Sequence, residues 1–236
     1  MADSQQYWAV IPAAGIGARM GSAIPKQYLP LNSKRVIEHT INTLLLHPAI
    51  NGAVVAVSDD DTWWPQVKNQ FDKPVWQAKG GAQRSDSVLS ALEVLSEHAN
   101  GHDWVLVHDA ARPCLRHEDI DKLITELSDD SVGGILAVPV RDTMKRADAD
   151  NLIEYTEERA GLWHALTPQM FHLTPLRDAL QRAQAEHTVI TDEAAAMEFI
   201  GLRPRLVEGH ADNIKITRPE DLQLASFYLS QLQKSE

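Results

Sequence analysis

A small-residue segment, AAGIG at positions 13–17, follows a short apolar run and precedes Arg19 and Lys26. Gly15 and Gly17 lack a Cβ, so the backbone of this loop can approach a bulky anion closely. Backbone N–H groups at the end of a buried strand, together with two nearby cations, are suited to binding a phosphate chain. The two cations would also offset the negative charge on phosphoryl oxygens. The pattern predicts a phosphate-binding loop.

Two familiar phosphate-binding motifs do not fit this loop. The dinucleotide motif G-x-G-x-x-G would need a glycine where Met20 stands, which disfavours a nicotinamide-dependent oxidoreductase. The ATPase motif G-x-x-x-x-G-K-[ST] occurs nowhere in the chain. A lone G-x-G after a strand is also compatible with a plain strand-to-helix turn, so this loop alone leaves both interpretations open.

An aspartate, Asp109, directly follows a second apolar run that ends near His108. A carboxylate at the end of a buried strand is costly unless it is hydrogen-bonded or paired with a cation. Asp109 could therefore hold Mg²⁺ or a ribose hydroxyl. An ion pair with Arg112 in the same loop is the structural alternative, and the residues by themselves do not decide between the two.

Three more polar segments are candidates, and the first two of them follow predicted strands. Residues 80–87 (GGAQRSDS) combine a glycine pair with a serine at a helix start, although a plain helix-entry loop explains them equally well. Residues 141–146 and 211–218 are rich in charge, and Arg159 stands beyond the first of them. Charges such as these are usually solvated when taken singly. Cations at four predicted strand ends together indicate a pocket for a polyanion.

The elements that would position these clusters are short apolar runs alternating with amphipathic helical patterns, which is typical of parallel βαβ units. We therefore predict an α/β fold: a Rossmann-like, open, mostly parallel sheet with helices on both faces. In such a sheet, ligands bind at the carboxyl ends of the strands. The predicted strands are residues 8–12, 53–58, 75–78, 104–108 and 134–140, and the predicted helices include 34–47, 84–98 and 118–127.

Two later helices are predicted from their start signals. Thr217 and Glu220 have the spacing of a capping box, with Pro219 in the first turn of the C-terminal helix. The pair Thr174 and Pro175 is expected to open another helix in a similar way.

The polar segment at about 141–161 interrupts this alternation and carries a turn-like sequence, DADN, at 148–151. It is predicted to form a protruding β-hairpin arm. An isolated hairpin is marginally stable in water, so a second subunit is the economical support for it. A mobile surface hairpin is the alternative.

Composition limits the possible functions. The 236 residues suit a single domain spanning 1–236, and a net charge of −11 argues against a nucleic-acid partner. One cysteine excludes an internal disulfide and favours a reducing compartment. Neither a signal peptide nor a membrane-length apolar stretch is evident, so we expect no membrane partner and a cytoplasmic location.

Taken together, the motifs resemble the 2-C-methyl-D-erythritol 4-phosphate cytidylyltransferase family of the non-mevalonate isoprenoid pathway. The resemblance implies an Mg²⁺-dependent nucleotidyltransferase that transfers CMP from CTP to that polyol phosphate. Its products would be 4-diphosphocytidyl-2-C-methyl-D-erythritol and pyrophosphate. The motifs run in order through nearly the whole chain: P-A-A-G-x-G-x-R-M with P-K-Q, G-G-x-x-R-x-x-S-V, H-D-A-A-R-P, P-V-x-D-T-x-K, G-L-W-x-x-L-T-P-Q, I-T-D-E-A and A-D-N-I-K-I-T-R-P-E-D.

The resemblance also implies roles for individual residues. Arg19 and Lys26 match the pair that stabilises the transition state around the α-phosphate, and Asp109 matches an aspartate near the ribose and the metal. Arg159 and Lys215 match residues that position the acceptor, with Arg159 reaching the neighbouring site of a homodimer through the exchanged arm. The remaining implied positions are Ala13, Ala14, Gly15, Gly17, Gly81, Ala82 and Ser87 for the nucleotide, and Arg112, Thr143, Thr167, Thr191 and Asp212 for the acceptor.

The sequence departs from the family pattern at one position, and two alternative functions remain open. Ala82 stands where relatives often have a polar residue, which matters only if that position acts through its side chain. The acceptor could be another polyol phosphate, such as ribitol 5-phosphate. A non-catalytic nucleotide-binding protein on the same fold is a further alternative, although the presence of both Arg19 and Lys26 speaks against it.

Overall fold

The computed structural model describes residues 5–15 and 24–232. Its strands are β1 (Tyr7–Pro12), β2 (Pro30–Leu31), β3 (Lys34–Arg35), β4 (Ile50–Val57), β5 (Val75–Lys79), β6 (Trp104–Val107), β7 (Gly133–Pro139), β8 (Met144–Ala147), β9 (Ile153–Glu157), β10 (Trp163–His172) and β11 (Arg205–Glu208). The α-helices are α1 (Val36–Leu46), α2 (Arg84–Leu95), α3 (His117–Leu127), α4 (Leu173–Ala185), α5 (Glu193–Phe199) and α6 (Pro219–Leu232). Single 3₁₀ turns cover Lys26–Tyr28 and Trp64–Gln66.

Seven strands form the central sheet in the order β11-β7-β10-β6-β1-β4-β5. β1 pairs in parallel with both β4 and β6, whereas β10 runs antiparallel to β6 and β7. The chain leaves β1 in one direction toward β4 and later returns on its other side as β6. This reversal of strand order creates a crevice at the carboxyl end of β1, where α/β proteins bind ligands.

Helices cover both faces of the sheet, which is why its inner strands are almost entirely apolar. α1 and α3 pack on one face around Ile41 and Leu123, and α2, α4 and α5 pack on the other around Leu92, Leu176 and Met197. α6 joins a smaller cluster beside α1. The predicted fold class is confirmed.

Two strands of the sheet were not predicted. β10 contains the polar sequence Thr167-Pro168-Gln169 at its centre, so it lacks the apolar run of a buried strand. β11 is a four-residue strand at the sheet edge, and only Val207 of its side chains is buried. Neither segment has the apolar pattern from which the other strands were predicted.

The start of α6 corrects the predicted capping box. Asp221, not Glu220, accepts hydrogen bonds from the backbone N–H groups of Thr217 and Arg218, both at 2.8 Å, and from the Thr217 hydroxyl. The helix begins at Pro219, so Asp221 is its third residue and Glu220 its second. The box is shifted by one residue, because a capping carboxylate reaches back from the third helical position. The helix expected near Thr174 does form, from Leu173 onward.

The segment at 141–161 forms the expected hairpin, in which β8 pairs antiparallel with β9. Its turn is closed by Asp148, whose carboxylate accepts from the backbone N–H groups of Asp150 and Leu152. Leu152 and Ile153 are each 65% exposed, and Tyr155 is 52% exposed. The arm therefore presents apolar side chains that the described part of its own chain does not cover.

Cys114 is packed in the cluster beneath α6, where burial raises the pKa of its thiol to about 12. A thiol held in its protonated form is a poor nucleophile.

Among the described helices, none has the length and apolar character needed to span a membrane.

Candidate active site

The loops that follow β1, β5, β6 and β11 converge on one cleft at the carboxyl edge of the sheet. Each loop brings a different kind of group: small residues after β1, glycine and serine after β5, a carboxylate after β6 and a lysine after β11. The lining residues are Pro12, Ala13, Ala14, Gly15, Lys26, Gln27, Gly81, Ala82, Gln83, Arg84, Ser87, Asp109, Ala110, Ala111 and Lys215.

The first and second loops pack closely against each other. A Cβ added at Gly80 would lie 2.2 Å from the Cβ of Ala14, so only glycine permits this approach. The backbone N–H of Gly81 donates to the hydroxyl of Ser87 at 3.0 Å, and the amide of Gln27 donates to the carbonyl of Ala13 at 2.6 Å. These bonds hold the small-residue wall of the cleft in place.

Asp109 stands at the centre of the charges in the cleft. Its Oδ1 accepts from Nε of Arg84 at 2.9 Å, and its Oδ2 lies 2.8 Å from the amine of Lys215. Arg112 is also within range, but at 3.4 Å it is the most distant of the three cations. Burial opposes ionisation, yet the charges of Arg84, Lys215 and Arg112 hold the pKa of this carboxyl well below its usual range. The ion pair with Arg112 thus exists, as one part of a larger network.

Arg84 links this network to a second carboxylate that the sequence analysis did not assign. Its Nη1 and Nη2 atoms donate to the two oxygens of Glu193 at 2.6 and 3.1 Å. Burial opposes the charge on Arg84, but Glu193 and Asp109 together raise its pKa. The signals were the arginine in G-G-x-x-R and the glutamate in I-T-D-E-A, which lie 109 residues apart in the chain.

Thr167 and His108 support the backbone of Asp109 from behind the cleft. Nε2 of His108 lies 3.0 Å from the carbonyl of Arg112, which can only accept, so Nε2 carries the proton. Nδ1 is then an acceptor, and the Thr167 hydroxyl donates to it at 2.8 Å. The same hydroxyl accepts from the backbone N–H of Asp109 at 3.2 Å. Thr167 is therefore engaged with the protein on both sides.

The His108 ring should make the fold sensitive to mild acid. Its complete burial lowers its pKa to about 4, against about 6.5 in an unfolded chain. Between these values the unfolded chain binds one more proton than the fold, so stability falls as pH decreases from 6.5 to 4. We expect this ring to contribute a loss of about 3 kcal/mol across that window.

Urea denaturation at pH 7 and pH 4.5 would test this expectation in the wild type and in His108→Gln. The pH-dependent loss should be smaller in the variant, because glutamine does not titrate. Equal losses in the two proteins would contradict the assignment. His187→Gln is a suitable control, since His187 is exposed.

Lys26 and Lys215 approach the cleft from opposite ends of the chain. The amine of Lys26 donates to the carbonyl of Ile216 at 3.0 Å, next to Lys215. The loop that carries Lys215 is held by the side chain of Asn213, which donates to the carbonyl of Thr167 at 2.7 Å. Arg112 donates in turn to the carbonyl of Asn213 at 2.7 Å. Lys215 therefore stands on a well-anchored loop, to which the amine of Lys26 is hydrogen-bonded.

The structure brings many of the predicted site residues together, but not all of them. Those that line the cleft are Ala13, Ala14, Gly15, Lys26, Gly81, Ala82, Ser87, Asp109 and Lys215. Arg112 and Thr167 are buried behind it, and Asp212 accepts from Nε of Arg116 at 3.1 Å. Thr143, Arg159 and Thr191 are exposed, the first two at the base of the arm, where Arg159 donates to the carbonyl of Arg141. Arg19 and Gly17 lie outside the described residues.

The cleft fits a metal ion that arrives with phosphates better than a metal held by protein alone. Asp109 is the only carboxylate among the described lining residues, and both of its oxygens contact cations. Within residues 5–15 and 24–232, no three His, Cys, Asp or Glu side chains are grouped to hold a metal. Mg²⁺ often takes only one or two carboxylates and completes its shell with phosphate oxygens and water. Among the described lining residues, only Asp109 has a side chain of the kind that Mg²⁺ prefers.

The fold and the cleft define an α/β protein whose cleft at the carboxyl edge of the sheet carries basic side chains beside one aspartate. Residues 7–231 match the 2-C-methyl-D-erythritol 4-phosphate cytidylyltransferase family. A protein of that description from Aliivibrio fischeri (strain MJ11) is 54% identical over 226 residues, which cover 96% of this chain and 94% of that relative. The chain belongs to the 2-C-methyl-D-erythritol 4-phosphate cytidylyltransferase family.

Solved structures agree with this assignment. A crystal structure of a 4-diphosphocytidyl-2C-methyl-D-erythritol synthase is 40% identical, with a TM-score of 0.84 over 95% of this chain and 100% of that one. The 2-C-methyl-D-erythritol 4-phosphate cytidylyltransferase of Francisella tularensis is 34% identical, with a TM-score of 0.81 over 95% and 100% of the two chains. The resemblance drawn from the sequence motifs is confirmed.

Proposed function

We propose that this protein transfers CMP from CTP to 2-C-methyl-D-erythritol 4-phosphate, giving 4-diphosphocytidyl-2-C-methyl-D-erythritol and pyrophosphate. The observation that carries the proposal is the family match over residues 7–231, on a chain whose cleft is lined by Lys26, Lys215 and Asp109. The cleft therefore contains cations for phosphorylated reactants, although the whole chain has a net charge of −11.

The small-residue side of the cleft is proposed to bind the nucleotide. The backbone around Ala13, Ala14, Gly81 and Ala82 offers hydrogen-bonding groups with few side chains to obstruct a planar base. Ser87 already accepts from the N–H of Gly81, so it holds this wall in shape. Ala82 has no polar side-chain atom, and selectivity at this position would therefore come from its backbone. Gly15 and Gly17 belong to the loop proposed to hold the phosphates.

The acceptor's own phosphate is the attacking group in this reaction. A phosphate monoester has its second pKa at about 6 and is largely ionised at neutral pH, so no general base is required. The difficulty is repulsion between two anions that must be aligned in line. Asp109 would help to hold Mg²⁺, and the bound ion would supply positive charge that offsets the charge of the triphosphate. Arg19 and Lys26 would place positive charge at the α-phosphate.

The acceptor is proposed to bind near Lys215, with Arg159 supplied by the arm of a second subunit. In the single chain, Arg159 is exposed and does not line the cleft. The arm exposes Leu152, Ile153 and Tyr155 on a two-stranded hairpin, and such a hairpin is marginal without support. A homodimer with exchanged arms would cover this apolar surface and complete each site. Thr143, at the base of the arm, and Thr191, Asp212, Thr167 and Arg112 are the further proposed acceptor-side residues.

The proposed reaction can be tested with a panel of acceptors. Purified protein is mixed with CTP, Mg²⁺ and either methylerythritol 4-phosphate or ribitol 5-phosphate, and pyrophosphate release is followed. We expect turnover with methylerythritol phosphate and at most weak turnover with ribitol phosphate. Preference for ribitol phosphate would change the acceptor, and CTP binding without turnover on either acceptor would support a non-catalytic role.

Arm exchange makes a specific prediction for mixed dimers. Arg159→Ala and Lys215→Ala should each be nearly inactive alone, because every site lacks one cation. In a mixed dimer with exchanged arms, one of the two sites contains both wild-type residues. Co-expression should therefore restore about one quarter of wild-type activity, since half of the dimers are mixed and each has one intact site.

The test is to measure activity of the co-expressed mixture, purified without separating mixed dimers from the two homodimers, against each single variant. Mixing two preparations of the same variant is the control. If the mixture stays as inactive as its components, Arg159 does not serve the partner's site.

A further inference from the structure

A fully buried acidic side chain, Glu193, lies outside the cleft but is joined to it through one arginine. Glu193 is the first residue of α5 and is 1% exposed. Its two carboxylate oxygens accept from Nη1 and Nη2 of Arg84, while Nε of the same guanidinium donates to Asp109 at 2.9 Å. One arginine thus connects a buried carboxylate with the carboxylate in the cleft.

Helix stability does not explain the presence of Arg84 at this position. It is the first residue of α2, and a cation at a helix N-terminus faces the unfavourable end of the helix dipole. The guanidinium is held instead by a two-pronged contact with Glu193, the strongest geometry available to an arginine and a carboxylate. This contact aims the Nε–H of Arg84 at Oδ1 of Asp109.

Charge around Asp109 would be unbalanced without Glu193. Three cations, Arg84, Arg112 and Lys215, surround the single carboxylate in the cleft. A guanidinium released from Glu193 could turn toward the triphosphate or pull Asp109 out of position. With Glu193 present, the guanidinium of Arg84 is held between two carboxylates, which offset its charge.

We propose that Glu193 is a positioning residue for the nucleotide site, acting through Arg84 to fix the carboxylate of Asp109. The inference rests on the proposed function, because it assigns the cleft beside Asp109 to the nucleotide. The neighbouring Asp192 has a different task. Its side chain caps α5 by accepting from the N–H of Ala195 at 3.0 Å, and it also accepts from Gln169 at 3.0 Å. Structural capping and orientation of Arg84 are thus divided between adjacent residues.

The test compares Glu193→Gln with Glu198→Gln, which makes the same charge change at an exposed position of α5. Steady-state kinetics are measured with CTP and methylerythritol phosphate varied separately. We expect Glu193→Gln to raise the KM for CTP about 10- to 100-fold, the range typical when a group that orients a ligand-binding side chain is lost. The KM for the acceptor and all constants of Glu198→Gln should stay close to wild type.

A double-mutant cycle with Arg84→Gln then shows whether Glu193 acts through the arginine. The double variant should bind CTP about as weakly as Arg84→Gln alone, because the second change removes a partner already without function. Glu193→Asp, which keeps the charge with a shorter reach, should recover part of the affinity. Additive effects of the two substitutions would overturn the proposal.

The remaining outcomes are also decisive. An unchanged KM for CTP in folded Glu193→Gln would overturn the proposal while leaving the proposed function intact. Loss of the folded state in both Glu193 variants, seen by circular dichroism, would overturn it as well, since Glu193 would then serve stability alone. If the wild type itself transfers no CMP, the proposed function fails. Calorimetric titration of CTP into wild type and Glu193→Gln would then still report on Glu193.

Discussion

Replacing Arg19 by alanine is expected to lower kcat about 10²–10³-fold, equivalent to about 3–4 kcal/mol of transition-state stabilisation. The reason is the negative charge on the oxygens around the α-phosphorus when the acceptor's phosphate attacks it. Arg19 is implied in this role by its position after the small-residue loop and by the family resemblance. The effect should fall mainly on kcat, because the guanidinium is proposed to act on the transition state more than on bound CTP.

The measurement is steady-state pyrophosphate release at saturating CTP and acceptor. Arg182→Ala is a matched control, because Arg182 is an exposed residue of α4 that pairs with Glu186, lies over the Phe199 ring and does not line the cleft. Its kinetic constants should not change. A kcat for Arg19→Ala equal to that of the control would remove Arg19 from the catalytic role, and an isolated rise in the KM for CTP would limit it to ground-state binding.

Asp109→Asn is expected to impair both activity and folding stability. The carboxylate is 10% exposed and is surrounded by Arg84, Arg112 and Lys215. Removing its charge leaves three cations close together, and breaking a buried ion pair in this way costs about 3–5 kcal/mol of stability. Catalytic efficiency should fall about 10²-fold or more, since loss of one partner of a buried charge pair weakens binding by about 2–5 kcal/mol.

The stability part of this prediction has a defined pH dependence. The pKa of Asp109 is lower in the fold than in the unfolded chain, so its contribution is fully present above the unfolded value of about 3.9. The contribution is lost as pH falls below that value toward the lower pKa of the fold. The difference between wild type and Asp109→Asn should therefore be largest near neutral pH and shrink below about pH 4.

Urea denaturation at pH 7 and at pH 3.5 measures this difference. Asp178→Asn is the control, because Asp178 is exposed and its contact with Arg177 is an ordinary surface pair. A loss at pH 7 no larger than the control's would show that the three cations do not depend on Asp109.

Much of the fold could be predicted from the sequence, because buried parallel strands and amphipathic helices have characteristic local patterns of apolar residues. The strands β1, β4, β6 and β7 are nearly all apolar, the edge strand β5 is partly so, and the polar segments that follow several of them predicted the position of the cleft. β10 and β11 were missed, because a strand with Thr167-Pro168-Gln169 at its centre and a short edge strand lack such a pattern. The predicted capping carboxylate of α6 was wrong by one residue, since Glu220 and Asp221 are chemically equivalent candidates in the sequence.

By itself, the sequence determined the fold class, the family and the small set of loops that could meet phosphates, because these depend on local residue types in order. Only the tertiary structure decided that Arg84 lies between Asp109 and Glu193, and that the amine of Lys26 donates to the carbonyl of Ile216, next to Lys215. It also showed that Thr167 supports the Asp109 loop through His108. Such pairings join residues up to 190 positions apart. They depend on how the strands are ordered in the sheet, which no local spacing encodes.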